Sequence, residues 1–214
     1  MAEVAAVVEI FLDGAQVVAG AVADPAVGAA WGHPSVLEEQ LVGALAGHLC
    51  RGGVWVVADY LDAGNPAGPL DFESAGEYFA AFAETVTPSE HQAIRDRASV
   101  VGSVGQDQLV RTLMGRLDAL EPQLRTSDPA RLVAVIGGKV MRLGDYLATR
   151  VVEQTVHLDD LARSLGRDLW PVSSEAHALT IEVATETARR RHGATSLLRA
   201  LYRQGFADQV LPVL

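Results

Sequence analysis

The stretch VVEQTVHLDDLA, residues 151–162, places Glu153 and His157 four residues apart in a segment with helical periodicity. Four residues are slightly more than one helical turn, so both side chains leave the same face about 40° apart. Apolar arcs flank the pair, with Leu143, Leu147, Val151, Leu158 and Leu161 on one side and Val152 and Val156 on the other. A buried carboxylate costs several kcal/mol unless a cation or hydrogen-bond donors meet it. The pair can therefore hold a divalent metal ion together.

A third ligand is available on an earlier segment, where His48 aligns with apolar residues on a helical wheel. The aligned residues are Leu37, Leu41, Ala44, Leu45 and Trp55. If the two helices pack together, His48, Glu153 and His157 converge into a two-histidine, one-carboxylate site. The spacing of Glu153 and His157 is weak evidence by itself, because it arises by chance in many helices. A structural bundle whose inward His and Glu hydrogen-bond one another is therefore kept as an alternative.

The composition limits the classes of partner. The chain has 214 residues, 49% of them apolar, which is enough for one buried core with an appendage. Its net charge is -10, without a Lys/Arg cluster of the kind that follows phosphates, which argues against nucleic acid. The sequence lacks an apolar span of about 20 residues and a basic start typical of secretory signals, so we expect no membrane association. The single cysteine, Cys50, fits a reducing compartment, and we predict a cytoplasmic protein.

Apolar residues at helical spacing predict a first helix over residues 3–22 and a second helix that ends near Leu61. The second helix is predicted to begin at Ser35, because Ser35 and Glu38 form a capping-box pattern. Glycines weaken this helix, and they predict either a break near Gly52 or the close approach of another backbone.

Further capping patterns begin a short third helix at Ser74 and a fourth helix at Thr87. The fourth helix is predicted to reach Leu124, with an inner face formed by Leu109, Leu113, Leu117 and Leu120. Two β-branched runs flank Gly137 and Gly138, and they predict a small hairpin over residues 131–143.

Asp145 is predicted to cap the helix that carries Glu153 and His157, and Gly166 to end it in a left-handed conformation. Two more helices are predicted over residues 173–191 and 195–203.

These elements predict an all-α fold, an up-and-down four-helix bundle with a small β-hairpin and two extra C-terminal helices. We divide the chain into a metal-binding bundle, residues 1–166, and a helical extension packed on it, residues 167–214. A homodimer is left open.

Two runs resemble a known family: WGHPSVLEEQLVGALAGHLCRG, residues 31–52, and RLGDYLATRVVEQTVHLDDLARSLG, residues 142–166. They are similar to the N-terminal domain of mycothiol-dependent maleylpyruvate isomerases, within the DinB-like metalloenzymes. The resemblance implies a four-helix bundle with a divalent metal, typically zinc, held by a His from one helix and an E-x3-H pair from another. His48, Glu153 and His157 match that arrangement. Nickel, manganese and iron remain alternatives to zinc.

The resemblance also implies an enzyme that uses mycothiol, or a similar low-molecular-weight thiol, as co-substrate. The thiolate serves S-transfer to an electrophile or thiol-assisted cis-trans isomerisation. The two-domain isomerases carry a second, α/β domain that contributes an arginine, and the roughly 48 residues after Gly166 are expected to be too few for it. We therefore expect a one-domain member acting on another small-molecule electrophile. A non-catalytic metal- or thiol-binding accessory protein with the same bundle is the alternative.

Four residues are predicted to support the site. Asp160 lies one turn after His157 and can accept the free N–H of a ligating imidazole, although a solvated carboxylate is equally compatible. Arg150 can bind a substrate carboxylate or steady Glu153, with a surface ion pair as the alternative. Tyr146 and Trp55 are predicted to line the substrate pocket, with core packing as their alternative role.

Overall fold

The computed structural model describes residues 2–212, and the side chains of residues 6–212. Helix α1 spans Ala2–Val22 and confirms the first predicted helix. Asp24 then caps the short helix α2, Pro25–Ala29, by accepting a hydrogen bond from the backbone N–H of Ala26.

The second predicted helix begins later than expected. Helix α3 is Val42–Cys50, so the capping box predicted at Ser35 is wrong. The Ser35 hydroxyl instead accepts the N–H of Leu37, two residues on, and Glu39 has a positive φ of 59°, which no α-helix accommodates.

The same helical path continues through a π-helical turn, Arg51–Trp55, into helix α4, Val56–Asp62. The break predicted near Gly52 as one alternative is therefore absent, and the helix changes to π geometry there instead. A π turn accommodates one extra residue, so every side chain beyond it is rotated away from its α-helical projection.

The middle of the chain forms three helices. Helix α5, Ala75–Thr85, is capped by Ser74, and helix α6, Pro88–Gly102, begins with the predicted capping box at Thr87. The single helix predicted from Thr87 to Leu124 is wrong, because α7, Gln106–Thr126, is separate. Gly105 interrupts the path with a φ of 83°. The predicted leucine face of α7 is confirmed, and each of its leucines is buried.

Helix α3 packs closely on α6 through small residues. A Cβ atom on Gly47 would lie 2.5 Å from the carbonyl oxygen of Ala98, and one on Gly102 would lie 2.1 Å from that of Gly43. The close backbone approach predicted from the glycines of this segment is therefore confirmed.

The predicted hairpin is confirmed as strands β1, Leu132–Ala134, and β2, Val140–Arg142, which pair antiparallel. Helix α8 then spans Leu143–Ser164, and Gly166 follows it with a φ of 61°. Asp145 does not cap α8, because the helix begins two residues before it. Its carboxylate lies 3.5 Å from Arg142, and burial raises the pKa of Asp145 above its usual value.

The C-terminal helices are α9, Ser174–His192, capped by Ser173, and α10, Ala194–Tyr202. Helix α9 packs against α5 and α8, and α8 packs against α1 and α3. The predicted all-α bundle with its small hairpin and two extra helices is confirmed. The division of the chain at residue 166 stays a prediction.

Candidate metal centre

Helices α3 and α8 bring three distant side chains together. Nε2 of His48 lies 3.0 Å from Oε2 of Glu153, and Nε2 of His157 lies 3.5 Å from the same oxygen. The donor atoms of the three residues lie within 4.8 Å of one another. Among the described residues, this is the one group of His, Cys, Asp and Glu side chains that can share a metal ion.

The donor set fits a divalent ion. Zinc–ligand bonds of about 2.0–2.2 Å place the donor atoms of a tetrahedral site roughly 3.3 Å apart. The separations of 3.0 and 3.5 Å bracket that value. Each ligand side chain is about one-fifth exposed, so the site is sheltered but reachable from solvent.

The second nitrogen of His157 is fixed by Asp160. Nδ1 of His157 lies 2.9 Å from Oδ2 of Asp160, and Asp160 is buried. A neutral imidazole that donates from Nδ1 presents a lone pair at Nε2, here directed at the carboxylate of Glu153. The lone pair of Nε2 and the carboxylate oxygen are both hydrogen-bond acceptors, and they repel each other unless a proton or a cation lies between them. Metal-binding histidines usually donate their other N–H to a carboxylate in this way.

Glu153 provides the negative charge of the site. Burial opposes its ionisation, but hydrogen bonds with His157 and His48 and the charge of Arg150 hold the pKa of Glu153 well below its usual value. Burial alone would lower the pKa of His157, but hydrogen bonds with Asp160 and Glu153 raise it to about 9. Without a metal, the cluster therefore holds a proton where an ion would bind.

Arg150 is buried beside Glu153, so its alternative interpretation as a surface ion pair is wrong. Its Nη1 donates to the carbonyl oxygen of Gly52 at 2.9 Å, and its Nη2 lies 4.0 Å from Oε1 of Glu153. The guanidinium carbon also lies 4.8 Å from the ring centroid of Tyr146. The π turn supplies the Gly52 carbonyl, and it thereby fixes Arg150 against the carboxylate.

A cavity of about 110 Å³ opens beside the ligands. His48, Glu153, Arg150 and Tyr146 line it, which places Tyr146 where the pocket was predicted. Trp55 is not among its lining residues, because the π turn rotates it away from the face of His48. The ring of Trp55 is buried and packs under the guanidinium of Arg116, 4.8 Å from its centroid.

Two of the flanking apolar residues behave differently. Val152 is buried, whereas Val156 is 45% exposed, so the second predicted apolar arc is wrong at Val156. Val156 therefore lies on a solvent-facing side of α8.

Sequence reasoning missed several residues of this cavity, namely Arg51, Tyr60, Tyr78 and Arg97. Arg51 immediately follows α3, three residues after His48, and a helical wheel places it about 60° from His48, so periodicity could have identified it. Tyr78 and Arg97 come from α5 and α6, and no spacing rule relates these helices to the ligands.

A family model described as the mycothiol maleylpyruvate isomerase N-terminal domain matches residues 11–162. The chain belongs to this family. The match includes all three candidate ligands and Asp160, and it ends before α9.

Searches of curated proteins and of solved structures found no match to this chain. Within residues 2–212, no helix is both long enough and apolar enough to span a lipid bilayer.

Proposed function

We propose that this member of the mycothiol maleylpyruvate isomerase N-terminal domain family is a metal-dependent, thiol-using enzyme. It catalyses S-transfer to an electrophile or thiol-assisted cis-trans isomerisation, with mycothiol or a similar thiol as co-substrate. His48, Glu153 and His157 are its metal ligands. The observation that carries the proposal is the convergence of these donors, which lie within 4.8 Å of one another beside a cavity, with Asp160 on the second nitrogen of His157.

His48, Glu153 and His157 would hold a divalent ion, and the chemistry that the ion would supply is a lowered thiol pKa and hence a thiolate at neutral pH. The thiol has to come from outside the chain. Cys50 is completely buried, and burial raises the pKa of its thiol far above the usual range.

The protein's own groups prepare this position. Asp160 accepts from Nδ1 of His157 and so turns Nε2 toward the shared site. Arg150 holds the carboxylate of Glu153 in place while its other donors are occupied by Gly52 and Thr149. We therefore assign Arg150 and Asp160 to positioning the ligands, and Tyr146 to the wall of the reaction cavity.

Zinc is the metal we favour, because two imidazoles and one carboxylate suit its tetrahedral preference. Nickel, manganese and iron also accept imidazole and carboxylate ligands. We place the reaction in the cytoplasm, where low-molecular-weight thiols are kept reduced.

Metal analysis tests the first half of the proposal. We expect one equivalent of divalent metal in the wild-type protein after zinc reconstitution, and loss of nearly all of it in His48→Ala. His192→Ala, at the end of α9, is the matched control and keeps its metal. A folded wild type that carries far less than one equivalent would leave the structural His–Glu bundle as the better interpretation.

Mass spectrometry tests the second half. The zinc-loaded protein is incubated with mycothiol and a panel of epoxides, alkyl halides and cis-enoyl acids. We expect a conjugate or an isomer that forms with the wild type and not with His48→Ala. Stoichiometric metal without any such product would favour the alternative of a non-catalytic accessory protein.

A further inference from the structure

A second, larger cavity adjoins the metal centre. It measures about 600 Å³ and lies between α5, α6 and the hairpin turn. Its volume falls within the usual range for small-molecule sites, roughly 300–1,000 Å³. The outer cavity and the 110 Å³ inner cavity share Tyr78, Phe82, Ile94, Arg97 and Ile136. A ligand in the outer cavity can therefore extend into the inner one.

The outer cavity is mainly apolar, and most of its charged groups already have partners. Lys139 lies 3.0 Å from Asp71, and Asp71 also accepts the N–H of Val140. Glu90 accepts from both the backbone and the hydroxyl of Thr87. These groups do not require a charged ligand.

Arg51 and Arg97 differ from these groups. Both line the inner cavity, and neither guanidinium group forms a hydrogen bond or an ion pair with any residue that the structure describes. Arg51 is partly buried, so its charge faces a sheltered space, whereas Arg97 is exposed to solvent. In a protein with a net charge of -10, two uncommitted guanidinium groups beside one cavity form an anion site.

We propose that the electrophile is an amphiphilic carboxylic acid. This inference rests on the proposed function. Arg51 and Arg97 bind its carboxylate in the inner cavity, and its apolar body fills the outer cavity. The inner volume of about 110 Å³ equals the share of roughly four water molecules, so the carboxylate end of the acid can enter it but the apolar body cannot. Low-molecular-weight thiols are polar throughout, and the apolar lining therefore assigns this acid to the electrophile.

Calorimetry on the zinc-loaded full-length chain tests the inference with an unreactive probe, octanoate. We expect octanoate to bind more tightly than octanamide, which has the same apolar body without the charge. We also expect affinity to rise from butyrate to octanoate, because the longer chain occupies more of the outer cavity.

Substitutions test separately which residues bind the carboxylate of octanoate and which cavity holds its apolar body. We expect Arg97→Gln and Arg51→Gln each to weaken octanoate binding about threefold to fivefold, and the double variant about tenfold or more. Arg95→Gln is the matched control, because Arg95 lies on the same helix but pairs with Glu39 at 3.6 Å. Ala93→Phe, which fills the outer cavity, should abolish the gain from butyrate to octanoate.

Equal affinity for octanoate and octanamide, or unchanged octanoate binding in the double variant, would overturn the inference. Metal content is measured on the same samples, because Arg51 and Arg97 are not ligands and the variants should keep their metal. Octanoate binding with the expected arginine dependence, but without metal or product, contradicts the proposed function and supports the cavity inference.

Discussion

Helices α7 and α8 have nearly the same length, 21 and 22 residues, but they bury different kinds of side chain. The buried face of α7 consists of leucines alone, at positions 109, 113, 117, 120 and 124. Helix α8 buries an apolar stripe together with Thr149, Arg150, Gln154, Thr155 and Asp160. One helix contributes only apolar area, while the other also carries charged and amide groups into the core.

Two of the polar groups of α8 are held by the π turn. Arg150 donates to the carbonyl of Gly52, and Gln154 donates to that of Gly53 at 2.9 Å. Oε1 of Gln154 and Oγ1 of Thr155 have no hydrogen-bond partner among the described residues, which costs stability that α7 does not lose. The comparison indicates that α7 stabilises the bundle, whereas α8 gives up part of its stabilisation to position the ligands.

The largest predicted effect is on α7. Leu113→Ala removes a completely buried side chain, and we expect the free energy of unfolding to fall by about 2–5 kcal/mol in urea denaturation. Met114→Ala, at a 37% exposed neighbouring position, should change it by less than about 1 kcal/mol. Metal bound per folded molecule should be unchanged in both variants. A loss of metal from folded Leu113→Ala would show that α7 also shapes the site.

The next effect concerns α8 and depends on pH. The pKa of His157 in the folded, metal-free protein is raised to about 9 from an ordinary value near 6.5. This stabilisation is complete below pH 6.5 and is lost as pH rises through 9, for a total of up to about 3 kcal/mol. The lowered pKa of Glu153 acts at the other end, and its contribution is lost as pH falls below its ordinary value near 4.5. Thermal unfolding at several pH values measures both.

We expect the affinity for metal to change with alkaline pH in the opposite direction to the stability of the metal-free protein. An ion replaces the proton on His157, so metal affinity should increase between pH 6 and 9 while the stability of the metal-free protein decreases. His157→Gln should flatten the alkaline decline of the metal-free protein. The same decline in His157→Gln would assign it to another group.

A smaller effect on metal affinity distinguishes Asp160, which contacts His157, from the exposed Asp159 on the same helix. Asp160→Asn weakens the partner of Nδ1 on His157, and we expect metal affinity to fall about 10- to 100-fold in competition with a chelator. Asp159→Asn is the control, because Asp159 is exposed and lies 4.0 Å from Arg163. Equal effects of the two substitutions would mean that only the overall charge near the site matters.

The smallest effect is a gain on α7. Gly115 is exposed within the helix, and a Cβ atom there would meet nothing within 4 Å. We expect Gly115→Ala to increase the free energy of unfolding by about 0.5–1 kcal/mol, measured in urea. Gly47→Ala should instead destabilise the protein, because its Cβ would collide with the backbone of α6.

Local signals predicted much of the fold. Helical periodicity identified α1 and the leucine face of α7, the paired glycines identified the hairpin, and the capping patterns at Ser74 and Thr87 are present. The start of α3 was mispredicted, because Ser35 forms a local turn that competes with a helix cap. The break at Gly105 was missed, because a lone glycine within a helical pattern does not reveal a positive φ.

The site was predictable to the extent that it depends on one helix at a time. Glu153, His157 and Asp160 share a face of α8, and the inward direction of His48 follows from its own turn. The burial of Arg150 depends on a carbonyl 98 residues away, in a π turn that a regular projection does not represent. The displacement of Trp55 from the cavity has the same cause.

The candidate ligands are separated by a long stretch of chain, because Glu153 lies 105 positions after His48. During synthesis on a ribosome, His48 emerges well before its partners exist, so an ion cannot be captured until α8 has been made. Once captured, the ion acts as a reversible crosslink that closes a loop of that length. By the chain-entropy relation for covalent crosslinks, such a closure is equivalent to roughly 4–5 kcal/mol. If the proposed ion is bound, chelation would therefore remove a crosslink between two distant parts of the polypeptide.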